Sequence, residues 1–249
     1  MPATSMSAEA GFSYGGARVE GRILRLERDG SYNPIVNGLR GPVGGIAFYR
    51  DGGHNGFFVA EGGYPARISF AGLDGSLRPI VEGLPGPGDH FTCMPVVGPD
   101  GWLYFGQGTY TNSGVVGPDS AGYGWLQLQP EAHDMPGYDI TLTGQNYTYF
   151  NPLSLDPKRR VRTGAFSKLG TTTDRGQRVQ GHVPCTGGIM RCRLDGTGLE
   201  IVAWGLRNPY GLLLTPDGRF LCVDQGYDDR GARPIGNAPD PLGTAGPTM

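Results

Sequence analysis

Three phrases of this chain set chemically capable side chains into glycine-rich surroundings. The first is Gly88-Asp89-His90. An imidazole titrates near neutrality, so His90 could serve as a general base, with Asp89 orienting a substrate hydroxyl or supporting the imidazolium. The alternative is a polar loop histidine bonded to the backbone. The second phrase is Gly205-Leu206-Arg207-Asn208-Pro209-Tyr210-Gly211. A planar guanidinium beside an amide suits a ligand bearing carboxylate or quinone oxygens. An arginine that braces neighbouring blades, with Asn-Pro merely a turn, is the other reading. The third is Asp224-Gln225-Gly226-Tyr227-Asp228-Asp229-Arg230-Gly231. Carboxylates and carbonyls are the oxygen donors that calcium takes, although the spacing is not that of an EF-hand loop and a solvated turn accounts for it equally. His54, His133 and His182 have no comparable placement and read as ordinary.

These phrases recur at equivalent points of a repeated unit. One copy runs from Gly38-Leu39-Arg40-Gly41-Pro42 to Ala60-Glu61-Gly62, a second from Gly83-Leu84-Pro85-Gly86-Pro87 to Gly106-Gln107-Gly108, and a third from Gly205 to Gln225-Gly226. Each has a Gly/Pro loop, an apolar run, an Asp-Gly turn, a second apolar run and then Glu or Gln before Gly. The shared parts read as scaffold, and the differing positions are where chemistry could sit.

Between copies, apolar runs lead into Asp29-Gly30, Asp74-Gly75 and Asp195-Gly196, and each turn is followed by a β-branched patch, Ile35-Val36, Ile80-Val81 or Ile201-Val202. Asp-Gly between apolar runs marks a hairpin, because glycine accepts the positive φ such turns need. Asp29 and Asp74 stand 45 residues apart. That period, with four short strands per unit, predicts β-propeller blades rather than a sandwich. Equivalent loops of different blades would then meet around one axis.

The 249 residues include 45 Gly and 21 Pro, which here punctuate apolar runs and so indicate short strands with tight turns. A net charge of −2 offers no nucleic-acid surface. No apolar run is long enough for a membrane span, and the N-terminus has no charged segment followed by an apolar one. Cys93, Cys185, Cys192 and Cys222 lack zinc spacing. Cys185 and Cys192 could form a disulfide, with buried free thiols as the alternative.

From about Thr109 to Val183 the repeat is interrupted by a long excursion from one blade. It contains Asp156-Pro157-Lys158-Arg159-Arg160, read as a solvated basic face, and Asn146-Tyr147-Thr148, a sequon taken as chance. Ala8-Glu9-Ala10-Gly11-Phe12 matches the end of a repeat, Ala60-Glu61-Gly62-Gly63-Tyr64. The chain is therefore expected to be a single partial propeller domain over 1–249, an arc too small for a closed ring.

With Gly88-Asp89-His90 followed by Gly98-Pro99-Asp100, Gly205 to Gly211 followed by Thr215-Pro216-Asp217-Gly218, and Asp224-Gln225-Gly226 with Asp228 to Pro234, the chain resembles the pyrroloquinoline quinone (PQQ)-dependent glucose/sorbosone dehydrogenases, closest to the L-sorbosone dehydrogenase-like branch. The resemblance covers most of the chain, including Ala132 to Asp139. It implies a six-bladed propeller with PQQ held by calcium over the central funnel. His90 matches the base that takes the proton from a sugar's anomeric hydroxyl, and Asp89 a position contacting substrate. Arg207 and Asn208 match cofactor-contacting positions, and Gln225 is placed with them. Gly226 and Tyr227 match the pair whose main-chain carbonyls hold calcium. Tyr227 departs from the family, whose glucose dehydrogenases have Pro there. The family's later basic residues, which clamp the anionic cofactor, would lie beyond Met249.

The expected activity is oxidation of an aldose or sugar aldehyde, with an electron acceptor as the second partner. The intact parent is expected to be periplasmic or secreted. Two other classes remain open: a calcium-dependent hydrolase of the sugar-lactonase kind, for which Glu9 and Glu61 are available as metal ligands, and a non-catalytic ligand-binding propeller.

Overall fold

The computed structural model describes residues 5–11, 20–51, 54–215 and 217–226. Over these residues the chain is all-β, with several antiparallel sheets, none of which closes on itself. The first sheet holds β1 (Met6–Glu9), β2 (Gly21–Leu26) and β3 (Tyr32–Leu39). The second holds β4 (Val43–Asp51), β5 (His54–Glu61), β6 (Ala66–Gly72) and β7 (Leu77–Leu84) in chain order. The third begins with β8 (Thr92–Val97) and β9 (Trp102–Gln107).

An inserted segment then carries two short helices, α1 (Pro118–Gly122) and α2 (Trp125–Leu128), and the strands β10 (Ile140–Thr141), β11 (Asn146–Phe150), β12 (Arg160–Gly164) and β13 (Arg178–Val179). β14 (Gly188–Arg193) and β15 (Glu200–Trp204) complete the third sheet, in the order β15-β14-β9-β8. β16 (Pro209–Leu214) and β17 (Phe220–Asp224) pair as a final hairpin. The segment between β9 and β14 is thus an insertion between the second and third strands of one sheet.

The Asp-Gly turns fall where the sequence predicts. Asp29, Asp74 and Asp195 each initiate the turn joining the last two strands of their sheets, and Gly30, Gly75 and Gly196 have φ of 85°, 85° and 90°. Each aspartate accepts both the backbone N–H and the hydroxyl of the residue two places on, Ser31, Ser76 or Thr197. That local bonding secures a turn independently of core packing.

The core follows from the two-residue side-chain period of β5. Phe57 and Val59 face Ile23, Val36 and Leu39 of the first sheet. The alternate residues Phe58 and Ala60 face Leu103, Phe105, Met190 and Cys192 of the third. The central strands β5 and β6 of the second sheet are therefore buried on both faces, and all of β6 is buried. Consecutive sheets also meet in a recurring way. A Cβ on Gly44 of β4 would lie 2.1 Å from the Thr92 carbonyl oxygen of β8, and one on Gly106 of β9 would lie 2.1 Å from that of Pro209 on β16. At the outer edge, the Gly75 turn approaches the Ile35 carbonyl of β3, and the Gly196 turn approaches that of Ile80 on β7.

The four cysteines are free thiols. Cys185 and Cys192 do not pair; both lie in the apolar core between the second and third sheets, where burial pushes their thiols up to about 11 and about 12.

Candidate functional site

The antiparallel pairing of β8 with β9 continues past both strand ends. Thr92 sits opposite Gln107. Beyond them the His90 N–H donates to the Thr109 carbonyl at 3.2 Å and the Asp89 N–H to that of Tyr110 at 2.8 Å. On its other side, the Thr109 N–H donates to the Arg207 carbonyl at 2.9 Å. Thr109 therefore lies between the His90 loop and the Arg207 loop. Its neighbour Gly108 is wedged there: a Cβ would sit 2.3 Å from His90 Cβ and 3.0 Å from Asn208 Oδ1. A side chain at this position would drive the two loops apart.

His90 is 5% exposed, and its ring Nδ1 lies 3.1 Å from the Thr109 carbonyl and 3.0 Å from Thr109 Oγ1. Asp89 is 3% exposed, and its Oδ1 accepts the Trp125 indole N–H at 2.8 Å. Trp125 belongs to the insertion and packs with Tyr110, Val116 and Leu126 in a small apolar cluster of its own. The observed task of Asp89 is thus to anchor the insertion against the loop that carries His90.

Arg207 is 7% exposed. Its Nε donates to the Asn112 carbonyl at 2.9 Å, Nη2 to Asn112 Oδ1, and Nη1 to the Gln225 carbonyl at 3.1 Å. These contacts tie the Arg207 loop to the insertion and to Gln225. The backbone N–H groups of Arg207 and Asn208 both point to the Asp224 carboxylate, at 3.2 Å and 2.8 Å to Oδ1, which fixes the Asn-Pro turn. Asn208 Nδ2 donates to Gln225 Oε1 at 2.8 Å. Gln225 and Gly226 are exposed; Tyr227 lies outside the described residues.

Of the expected site residues, His90, Asp89, Arg207, Asn208 and Gln225 therefore belong to one connected set of contacts. Among the described residues, no three His, Cys, Asp or Glu side chains gather to hold a metal. The glutamates that would serve a lactonase are engaged elsewhere. Glu9 pairs with Arg22 at 2.5 Å. Glu61, fully buried, accepts two bonds from Arg67 at 2.7 and 3.0 Å, one from the Ser69 hydroxyl and one from the Arg40 N–H at 2.5 Å.

Sequence reasoning misses Thr109, Asn112, Trp125 and Asp134. Asp134 is buried and accepts the Tyr110 N–H at 2.7 Å and the Thr111 hydroxyl at 2.5 Å. Burial raises its carboxyl above the usual carboxylate range against the lowering effect of these donors. Thr109 follows directly on Gln107-Gly108 and Asn112 lies three residues further on, where the copies diverge, so the rule that differing positions carry chemistry would have reached them. The Asp89–Trp125 bond has no sequence signal.

The donor chemistry fits a quinone bearing carboxylates in one respect: Asn112 Nδ2 is a buried donor with no hydrogen-bond partner among the described residues, beside the Arg207 guanidinium. Such a donor is costly unless an acceptor arrives. For calcium, the described residues supply the Gly226 carbonyl and no carboxylate cage. A scan against protein-family models and searches of the curated proteins and of the solved structures found nothing that matches this chain.

Proposed function

We propose that this chain is part of a propeller of the glucose/sorbosone dehydrogenase type and contributes the proton-accepting side of a PQQ- and calcium-dependent oxidation of an aldose or sugar aldehyde. The carrying observation is that Gly108 is flanked at close range by His90 and Asn208, residues from two different loops. The recurring approach of consecutive sheets at Gly44 and Gly106, and again at Gly75 and Gly196, supports a rotational arrangement of blades.

In this reading the buried loop holds His90 still, and the ring takes the proton of the sugar hydroxyl. PQQ, when bound, supplies the electron sink for the hydride leaving the same carbon. Asn208 and Arg207 orient the anionic cofactor, with Asn112 Nδ2 as a further donor, and the insertion anchored through Asp89 excludes water.

A non-catalytic ligand-binding propeller is the second reading, favoured by the attachment of both Asp89 and Arg207 to the insertion. Dye-linked sugar oxidation with added calcium and PQQ separates the two in the protein that carries this sequence. His90→Ala should lower turnover by about 10²–10⁴-fold with PQQ affinity little changed, the contribution typical of a general base. Arg207→Ala should instead weaken PQQ binding. Equal turnover in His90→Ala and wild type would reject the base.

A further inference from the structure

We infer that Thr109 is a positioning residue that fixes the imidazole of His90 as the Nδ1–H tautomer and so makes Nε2 the proton-accepting nitrogen. The inference rests on the reading of His90 as the base, but the proton count behind it stands on hydrogen bonds alone.

The Thr109 carbonyl oxygen, 3.1 Å from Nδ1, can only accept. The second neighbour, Thr109 Oγ1 at 3.0 Å, is a hydroxyl and could play either part. Its single proton, however, is committed elsewhere: Thr109 Oγ1 donates to the Thr111 carbonyl at 2.6 Å. Toward the ring it is therefore an acceptor as well. Both of these Thr109 oxygens accept, so Nδ1 carries the hydrogen toward them, and in the neutral ring the lone pair lies on Nε2. Which nitrogen of a histidine bears the proton is set by the bond the other one makes.

The arrangement behind Thr109 keeps this count fixed. The Thr111 hydroxyl has its own proton on Asp134 Oδ2 and accepts the Gly114 N–H at 2.6 Å. Asp134 Oδ1 also holds the Tyr110 N–H, so the segment 109–111 is pinned on both sides of Tyr110. The insertion thereby reaches the proton-transfer atom through a chain of hydrogen bonds, without supplying a catalytic group.

Long-range ¹⁵N–¹H correlation spectra of the histidine-labelled protein test this, recorded where the ring is neutral, with His90→Gln identifying the signal. Wild type should show a protonated-type Nδ1 and a pyridine-type Nε2. Thr109→Val, which removes one of the two acceptors, should move both signals toward a tautomer average, and Thr109→Ser should restore the wild-type pattern. Turnover in Thr109→Val should fall about tenfold with KM unchanged, less than on loss of the base. A wild-type ring protonated on Nε2, or a Thr109→Val spectrum identical to wild type, would overturn the inference; the wild-type spectrum decides the first point even if the valine variant does not fold. The spectra need neither sugar nor PQQ. A correct tautomer with no sugar oxidation would sink the dehydrogenase reading alone, and the wrong tautomer in an active enzyme would sink only the role of Thr109.

Discussion

Glu61 and Gln107 occupy the same point of the repeat at the ends of β5 and β9, yet their surroundings differ in kind. Around Glu61 every bond is internal to one sheet and the loop that leads into it: Arg67 and Ser69 from β6, and Arg40 from the preceding loop. The charge is neutralised in place and the residue is closed off from solvent. Gln107 is buried too, but neutral: its amide donates to the Pro85 carbonyl at 2.9 Å and accepts from the Thr92 hydroxyl at 2.8 Å. The cation of this second region, Arg207, comes from another loop and bonds to the carbonyl groups of Asn112 and Gln225. A single repeated position is thus spent on stability in one sheet, and in the next it leaves room for a histidine, an arginine and an inserted segment to converge.

Breaking the Glu61 cluster should have the largest effect on stability. Arg67→Met strands a buried carboxylate and should cost about 3–5 kcal/mol, read as a lowered urea midpoint. A cost under about 1 kcal/mol would mean that Arg67 is not what holds Glu61 in place. The link between Arg207 and Asn112 should be worth less, because the acceptors are neutral: Arg207→Met leaves Asn112 acceptors unpaired at about 1–3 kcal/mol. A double-mutant cycle with Asn112→Ala should give a coupling of at least about 0.5 kcal/mol, whereas independent effects would contradict the bracing contact. Trp125→Phe, which deletes the donor to Asp89 and leaves a smaller ring in the apolar cluster, should cost at least about 1–2 kcal/mol and expose the insertion to proteolysis before the sheets. Uniform cleavage would deny that Asp89 anchors it.

How much of this was legible depends on how local the physics is. The Asp29, Asp74 and Asp195 turns were readable because an Asp-Gly pair and a hydroxyl two residues on form the turn among themselves. The run Phe57 to Ala60 is apolar throughout, so the sequence offered no alternation from which to assign its two faces, which the packing separates. His90 and Arg207 stood out because they break the repeat. Their partners did not: Asn112, Trp125 and Asp134 sit in the irregular insertion, and only the tertiary arrangement brings Trp125 to Asp89 or Asn112 to Arg207. Spacing likewise could not tell that Cys185 and Cys192 are buried as separate thiols.

The smallest expected effect concerns the same exposed turns. Hydrogen bonds from Ser31, Ser76, Thr197 and Thr215 hold Asp29, Asp74, Asp195 and Asp217 below their ordinary value of 3.8. A carboxyl whose folded value is depressed contributes stability above its unfolded value and loses it as pH falls through the folded one. Stability should therefore decline as pH drops below about 3.8, and Ser76→Ala should flatten that decline slightly, in melting temperatures followed against pH. Asp134, raised by burial, works in the opposite sense.

The most direct test of the contrast between the two regions is a calorimetric titration of PQQ, with calcium present, into the wild-type protein, Asn208→Ala and Ser69→Ala. The wild type should bind saturably, Asn208→Ala with an affinity about tenfold weaker, the equivalent of about 1.4 kcal/mol, and Ser69→Ala with unchanged affinity. Absence of saturable binding to the wild type, or an equal loss in both variants, would contradict that contrast.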